Sequence, residues 1–298
     1  MAVSTAENAR LLRIVSTASV IAAVILIGVK GVAWFMTDSV ALLASLIDST
    51  MDSAASLINL FAIRYALAPA DAEHRFGHGK AEALAGLGQS AFIAGSAAFL
   101  MLHAVDRIIH PMPVSDTDVG IAVMIFSIVL TALLVVLQRL VIRQTDSTAI
   151  KADSLHYVGD LLVNVSIIVA LLAATAGYSR VDAWFGIGIA FYILWNAWQI
   201  SQDAFRHLLD REVSDEVRAE ILRLIASRKG VTGVHDLRTR RSGQQMFVQL
   251  HIELDREMPL WQAHEIAEDV ELTIINRYPN CDVIVHEDPL PAAVPVTR

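Results

Sequence analysis

Six long apolar stretches occupy the first two thirds of the chain, and each is long enough to cross a lipid bilayer as a helix. A bilayer core about 30 Å thick needs roughly 20 apolar residues of α-helix. The stretches are Arg13–Met36, Ser39–Ala66, Ala81–Arg107, Val119–Val141, Ala149–Ala176 and Ala183–His207. The sequence therefore predicts an all-α transmembrane bundle of six helices.

The composition of the chain agrees with this prediction. Hydrophobic residues make up 55% of the 298 residues and charged residues only 18%, whereas soluble domains are nearer a quarter charged. The net charge of −8 argues against nucleic acid as a partner, because nucleic-acid binding requires a basic surface. Cys281 is the single cysteine, so an internal disulfide and a cysteine-based zinc cluster are both excluded. The first apolar stretch is long enough to span, and we expect it to be retained.

Basic residues collect on one side of the predicted bundle. The side of the chain termini carries Arg10, Arg13, Arg64, Arg75, Lys80, Arg139, Arg143, Lys151, Arg206 and Arg211. The opposite side carries Arg107 and Arg180, with Lys30 near that end of the first helix. Because basic loops stay in the cytoplasm, we expect a multi-pass protein of the bacterial inner membrane with both termini cytoplasmic.

The character of the chain changes after Asp210 and indicates a second domain. Helical spacing of apolar residues covers Ser214–Arg228, with Ser214 as the expected N-cap, and Leu260–Arg277. Strands are expected over Val234–Thr239, Met246–Leu254 and Cys281–His286, with a hairpin turn at Ser242-Gly243. The sequence thus predicts a transmembrane domain over 1–209, a cytoplasmic αββαβ domain over 210–290 and a disordered tail over 291–298.

Ionisable residues interrupt the second and fifth apolar stretches. Asp48 and Asp52 are four residues apart, as are His156 and Asp160, so each pair lies on one helix face. A charged group at membrane depth costs about 2.5–3.5 kcal/mol and usually faces the bundle interior for a functional reason. Three carboxylates and one imidazole can form a tetrahedral site for zinc or a similar divalent ion.

A structural role for these residues would require basic partners inside the bundle. No Lys or Arg lies at the middle of a span; Lys30 lies near a helix end, where we expect it to reach the membrane surface. A cation site is therefore favoured. Asp153 lies on the face of His156 but near the helix entrance, and we expect it to support the site from outside or to be solvated.

Two further groups of polar residues leave alternatives open. Asp71, His74 and His78 lie in the first cytoplasmic loop and fit a metal site and a polar linker equally well. The second domain carries His235, His251, His264, His286 and Asp288. Solvated histidines are the default interpretation there, since sequence does not reveal whether the strands bring them together.

Three motifs resemble the cation diffusion facilitator family, and in particular its bacterial zinc and ferrous-iron exporters. They are 45–52 (SLIDSTMD), 69–82 (PADAEHRFGHGKAE) and 152–160 (ADSLHYVGD). The resemblance extends over nearly the whole chain, and it implies a metallochaperone-like cytoplasmic domain that forms homodimers.

The resemblance also implies roles for individual residues. The transport site would be formed by Asp48, Asp52, His156 and Asp160, with Leu155 as a hydrophobic gate, and the loop site by Asp71, His74 and His78. A binuclear cytoplasmic site would be formed by His235, His251, His286 and Asp288, with His264 bridging. Lys80 and Asp210 would form a charge pair near the dimer contact. Glu287 departs from the pattern, which has a neutral Gln at this position, and adds a negative charge beside the cytoplasmic site.

The predicted function is export of divalent metal ions in exchange for protons, because metal and protons compete for the same ligands. Zn²⁺ is the expected substrate and also a structural or regulatory ion, Cd²⁺ and Fe²⁺ are further substrates, and no organic cofactor is expected. The expected partners are a second copy of the chain, the lipid bilayer, divalent metal ions and protons. An intramembrane metalloprotease is disfavoured, since Glu268 stands where a His-Glu-x-x-His motif starting at His264 needs histidine. The alternative is an alkali-cation/proton antiporter, although sodium gains little from imidazole ligands.

Overall fold

A computed structural model describes residues 5–37, 40–109, 118–175 and 181–290, which form eight α-helices and three β-strands. The chain divides into two compact units with a boundary between Phe205 and Arg206. The first unit contains α1 (Thr5–Thr37), α2 (Val40–Ala66), α3 (Lys80–Ile109), α4 (Asp118–Thr145), α5 (Thr148–Thr175) and α6 (Val181–Leu208). The second contains α7 (Asp215–Ala226), β1 (Gly233–Ser242), β2 (Gln245–Leu254), α8 (Leu260–Arg277) and β3 (Cys281–Pro289).

This element order confirms the prediction of six long helices followed by an αββαβ unit. The observed helices extend beyond most of the predicted apolar stretches. For example, α1 begins at Thr5 and α4 ends at Thr145, whereas the apolar patterns begin at Arg13 and end at Val141. Extending a formed helix adds one hydrogen bond per residue fixed, so a helix continues into the polar residues that flank an apolar stretch.

Three of the described helices could each cross a membrane by length and composition alone: Ala6–Thr37, Lys80–Asp106 and Val119–Thr145. Helices α2 and α5 have similar lengths of 27 and 28 residues. Their apolar sequence is interrupted by ionisable residues, Asp48 and Asp52 in α2 and Asp153 and Asp160 in α5. The candidate ligands are therefore ionisable residues within otherwise apolar helices.

Helix α5 is the central packing element of the first unit. It contributes Ile150, Leu155 and Tyr157 to three core clusters of the described residues, each shared with other helices. It also approaches α3 closely at Gly86, where a Cβ atom would lie 2.9 Å from the side chain of Thr148. Because α5 is packed on several sides, the ligands that it carries have a rigid support.

The second unit is a three-stranded sheet with the order β1-β2-β3. Strand β2 pairs antiparallel with β1 and parallel with β3. Val248, Leu250 and Ile252 of β2 are buried in a core with Val270 and Ile274 of α8. Successive strand side chains point to opposite faces, so the residues between these positions lie on the face opposite the helices.

Three details of this unit differ from the sequence prediction. The hairpin turn consists of Gly243 and Gln244, because Ser242 already pairs with Gln245. Gly243 has a φ of 56°, which suits a glycine. Ser214 occupies the N-cap position of α7, but its side chain makes no capping hydrogen bond. Strand β3 continues beyond His286 to Pro289, and the tail expected to be disordered, 291–298, lies outside the described residues.

Candidate metal-binding sites

Helices α2 and α5 bring three of the four predicted transport ligands together. The Nε2 atom of His156 lies 2.9 Å from Oδ1 of Asp52 and 3.7 Å from Oδ2 of Asp160. One ligand atom from each of these residues falls within a group whose members are all within 4.8 Å of one another. The side chains are 9% exposed for His156, 13% for Asp52 and 31% for Asp160, so the group is buried except at Asp160.

These separations suit a small divalent ion. Zinc is bound by nitrogen and oxygen at about 2.0–2.2 Å, and tetrahedral geometry then places neighbouring ligand atoms about 3.3 Å apart. The two observed separations lie on either side of this value. An ion between the three side chains would need only small movements of side chains.

Asp48 stands outside this close group but lines the same cavity. The cavity has a volume of about 650 Å³ and is bordered by Asp48, Asp52, His156 and Asp160. Leu155, the predicted gate residue, also lines it and is 6% exposed within the packed cluster of α3, α5 and α6. The fourth predicted ligand is thus accessible from the cavity, one helical turn from Asp52.

Lys30 corrects one expectation from the sequence. We expected its side chain to extend toward the membrane surface, away from the aspartates. Its ammonium instead donates hydrogen bonds to Oγ of Ser49 at 2.6 Å and to the carbonyl oxygen of Ser45 at 3.3 Å, and it lines the cavity that contains Asp48. Satisfied hydrogen bonds and nearby carboxylates hold the charge inside the bundle, where lipid could not.

Asp153 is a partial correction, because the solvated alternative is wrong while support of the site from outside stays a prediction. Its exposure is 0%, and its oxygens accept hydrogen bonds from Ser19 at 2.6 Å, Gln138 at 2.8 Å, Gln89 at 3.2 Å and Ser56 at 3.4 Å. These donors come from α1, α4, α3 and α2 respectively. The carboxylate therefore joins α5 to four other helices, a role that the sequence analysis missed. Polar residues inside the apolar stretches were the available signal.

The loop between α2 and α3 brings Asp71, His74 and His78 together as a second group. Asp71 Oδ1 lies 3.4 Å from His74 Nδ1, and Asp71 Oδ2 lies 3.2 Å from His78 Nε2. Gly77 has a φ of 76°, and this left-handed conformation turns the chain so that the two rings lie 4.6 Å apart. The ring of Tyr65, tilted by 59° with its centroid 4.4 Å away, covers His78.

The electrostatics of this loop favour a cation. Backbone N–H groups of His74 and Glu73 donate to Asp71 at 2.6 and 3.0 Å. Mainly because of the bond from His74, the pKa of Asp71 lies below its usual range, so the carboxylate is ionised at neutral pH. Nδ1 of His78 is buried without a hydrogen-bond partner, which leaves its donor or acceptor role open.

The sheet of the second unit aligns three predicted histidines on one line. His235 pairs with His251 across β1 and β2, and His251 pairs with His286 across β2 and β3. The ring centroids are 5.1 and 4.5 Å apart. The convergence that the sequence left open is therefore present in the described structure.

Asp288 is the central acceptor of this cluster. Its Oδ2 lies 2.8 Å from His251 Nδ1 and 3.2 Å from His235 Nε2, whereas its Oδ1 lies 3.3 Å from His286 Nε2. The hydrogen bond with His251, and the neighbouring His286 and His235, hold the pKa of Asp288 below its usual range. One oxygen thus serves a pair of histidines and the other oxygen serves the third.

The remaining predicted residues lie apart from these clusters. His264 on α8 is 74% exposed, and its Nδ1 lies 4.0 Å from Oε1 of Glu287. Because successive side chains of a strand alternate in direction, Glu287 lies on the face of the sheet opposite that of His286 and Asp288. Lys80 is the first residue of α3. Asp210 accepts a hydrogen bond from Arg240 at 3.3 Å. The roles of His264 and of the pair Lys80 and Asp210 stay predictions.

Two family models together match most of the chain. The model described as the cation efflux transmembrane domain matches residues 16–209. The model described as the cytoplasmic domain of cation efflux proteins matches residues 213–290. The first match contains the ligand-bearing helices and the loop cluster, and the second contains the histidine cluster of the sheet.

Known proteins resemble the chain over most of its length. The cation-efflux pump FieF of Citrobacter koseri is 49% identical over 280 residues, which are 93% of this chain and 93% of that protein. FieF of Yersinia pestis (strain Pestoides F) is 49% identical over 282 residues, which are 95% of this chain and 93% of the relative. Among solved structures, the nickel form of a MamM CTD variant is 28% identical over 26% of this chain and 100% of its own, with a TM-score of 0.25.

Proposed function

The chain belongs to the cation efflux family, and on that premise we propose that it exports divalent transition-metal ions from the cytoplasm in exchange for protons. The resemblance noted in the sequence is thereby confirmed: the chain is a multi-pass membrane protein of a transporter family that exports metal cations. The proposal adds zinc as the main substrate, with cadmium and ferrous iron as further substrates. It also adds the proton coupling and an alternating-access cycle.

The observation that carries the proposal is the close group of Asp52, His156 and Asp160. Imidazole nitrogen is a preferred ligand of zinc and its neighbours in the transition series, whereas sodium favours oxygen ligands alone. The same group, with Asp48 in the adjoining cavity, offers ligands for one divalent ion. This chemistry favours a transition metal over the alkali cation that was the alternative.

Proton exchange follows from the contacts of His156. Its Nε2 atom lies 2.9 Å from the carboxylate of Asp52 and 3.7 Å from that of Asp160. In the unloaded site this nitrogen holds a proton, because its lone pair would otherwise face two negatively charged groups. A bound metal needs the same lone pair, so loading must release the proton. Alternating access then carries metal outward with the site loaded and protons inward with the site protonated.

The cytoplasmic unit fits a regulatory metal site in this proposal. His235, His251 and Asp288 would hold one ion. His286 and the other oxygen of Asp288 would hold a second ion, with His264 brought to it by rearrangement or supplied by the partner chain. Glu287, which lies between His286 and Asp288 in the sequence, adds negative charge. We expect a homodimer in the inner membrane, with both termini cytoplasmic, in which rising metal ties the two cytoplasmic units together and biases the membrane bundle.

Proteoliposomes test the proposal directly. Zinc entry into vesicles with an acidic interior should exceed entry into vesicles without a pH gradient. Asp52→Ala should abolish it, whereas Asp146→Asn, which changes a 73% exposed carboxylate paired with Lys151, should leave it unchanged. Metal flux that ignores the gradient would refute the coupling. Flux that survives Asp52→Ala would refute the site, and competition by excess sodium would favour the alternative substrate.

A further inference from the structure

Lys30 is a charged residue that borders the transport cavity and that the proposed function does not use. It lies on α1, seven residues before the helix ends at Thr37. Its ammonium is bound at two points of α2, Oγ of Ser49 at 2.6 Å and the carbonyl oxygen of Ser45 at 3.3 Å. A lysine near the end of a membrane helix ordinarily extends along the lipid to the surface. This side chain turns into the protein instead.

The two anchors place the ammonium on the ligand-bearing face of α2. One face of an α-helix is formed by residues three, four and seven positions after a given residue. Counted from Ser45, these positions are Asp48, Ser49 and Asp52. Lys30 and the three aspartates border the same cavity. The hydrogen bond to Ser49 therefore fixes a positive charge beside the site, next in sequence to one of its ligands.

A fixed positive charge changes the net charge that the site presents to a metal ion. The carboxylates of Asp48, Asp52 and Asp160 contribute three negative charges, and a neutral His156 contributes none. With Lys30, a site that has released its exchangeable proton carries −2, so one divalent ion brings the total to zero. Without Lys30 the same ion would leave −1, and a trivalent ion would be the neutral match.

We infer that Lys30 is a specificity-determining residue. Its fixed positive charge lowers the affinity of the transport site, so that a doubly charged ion is released as well as bound. The inference rests on the proposed transport of divalent ions by this site. Its ammonium repels the bound ion, which weakens binding and speeds release. A site of three unopposed carboxylates in a low-dielectric membrane would bind a divalent ion so tightly that turnover would be slow.

The charge argument gives the size of the effect. At about 8 Å, a unit charge changes the affinity for a divalent ion by about 6-fold at the dielectric constant of water and by about 1,000-fold at an effective constant near 20, and a wet cavity lies between these limits. Lys30→Gln should therefore tighten zinc binding at this site by about 10- to 100-fold. It should also reduce the maximal transport rate while lowering the zinc concentration that half-saturates it.

The experiment measures metal binding by the purified full-length protein in detergent. Zinc titrations against a chelating dye are made on the wild type and on Lys30→Gln, Lys30→Arg and Asp52→Ala. The signal lost in Asp52→Ala defines binding at the transport site, since the loop and cytoplasmic clusters lack this residue. Lys151→Gln is the matched control, because Lys151 pairs with Asp146 at 2.7 Å and is not among the residues that border the cavity.

A second readout tests charge separately from structure. Terbium, a trivalent ion, should gain more affinity than zinc in Lys30→Gln, because the repulsion removed scales with ion charge. Lys30→Arg should keep both affinities within about threefold of the wild type, because arginine retains the charge. Lys30→Met provides another neutral side chain if the glutamine variant does not fold.

The outcomes separate this inference from the proposed function. Equal zinc binding by the wild type and Asp52→Ala would refute the transport site itself. A site that depends on Asp52 but binds zinc and terbium unchanged in Lys30→Gln would refute only the role of Lys30. Weaker zinc binding by Lys30→Gln would also refute this role, and so would a Lys30→Arg variant that behaves like Lys30→Gln. A third refuting outcome is that both neutral variants fail to fold while Lys30→Arg folds. Each of these results would make Lys30 a structural residue.

Discussion

The carboxylate of Asp153 gives the sharpest prediction about the stability of the membrane unit. Asp153→Asn keeps the size and shape of the side chain but replaces one acceptor oxygen by an amide donor. Oδ2 accepts from Ser19 and Gln138, and Oδ1 accepts from Gln89 and Ser56. Whichever way the amide turns, two donors will face another donor.

The expected loss follows from these two contacts. A hydrogen bond to a charged group contributes about 1.5–3 kcal/mol, and interhelical hydrogen bonds inside membranes average about 0.6 kcal/mol. A serine hydroxyl can rotate to accept from the new amide, whereas a glutamine must flip its side-chain amide. We therefore expect Asp153→Asn to lower the free energy of unfolding by about 2–4 kcal/mol. For a domain of about 200 residues this lowers Tm by about 5–15 °C.

Thermal unfolding in detergent, followed by tryptophan fluorescence, measures this effect. Asp146→Asn is the control, because it makes the same chemical change in an exposed ion pair with Lys151, where pairs contribute about 1 kcal/mol or less. Equal Tm values for Asp153→Asn and the wild type would refute the reasoning. They would mean that the buried carboxyl group is protonated in the folded protein, since its neutral isostere would then fit.

Three further predictions concern packing, acid stability and the cytoplasmic metal site. Gly86→Ala should lower the free energy of unfolding by about 1–3 kcal/mol, because its Cβ would lie 2.9 Å from a threonine side chain of α5. Gly88→Ala, whose Cβ would have open space, should leave Tm unchanged or raise it in the same thermal unfolding experiments. The hydrogen bond from Tyr278 at 2.6 Å is the main cause that lowers the pKa of Glu220; this stabilisation is present above the unfolded pKa and is lost as pH falls through the folded one. Tyr278→Phe should therefore lose less stability than the wild type in denaturant titrations from about pH 6 to 3, and parallel losses would contradict this. Zinc should raise the Tm of the fragment 206–298 but not of its His251→Ala variant, and no rise in either would remove the proposed sensor.

The parts of the fold that the sequence predicted well depend on local patterns. Leu260–Arg277 is a helix in the prediction and in the structure, because apolar spacing and flanking residues define it within the segment itself. The hairpin turn was displaced by one residue, since Ser242 pairs with Gln245 and only the pairing of two strands decides which residue closes the loop. Candidate ligands could be selected for the same reason, because Asp48 and Asp52 interrupt the apolar pattern that surrounds them, and their role as ligands stays a prediction.

The destinations of long polar side chains were not predictable, because they depend on helices distant in sequence. Lys30 finds its partner 19 residues away on α2, and Asp153 finds Ser19 134 residues away on α1. The spacing of residues along one helix carries no information about such contacts. Gln89 and Gln138, two amides inside or beside apolar stretches, were a usable signal that a buried acceptor must lie near them.

The two carboxylates of α5, Asp153 and Asp160, differ in how many hydrogen-bond donors the protein supplies to them. This difference distinguishes a structural carboxylate from one that we propose binds the transported ion. A carboxylate has about four lone-pair positions, and four protein donors contact Asp153, so an ion would have to displace hydrogen bonds to bind there. Within the described residues, the ion-pair contact of Asp160, two turns further along α5, is with His156 alone, and Asp160 borders a cavity of about 650 Å³. A bound ion completes the coordination of Asp160 instead of breaking an existing one. Helix α5 can therefore be fixed at Asp153 by four neighbouring helices while the proposed transport site, two turns further along, binds and releases an ion.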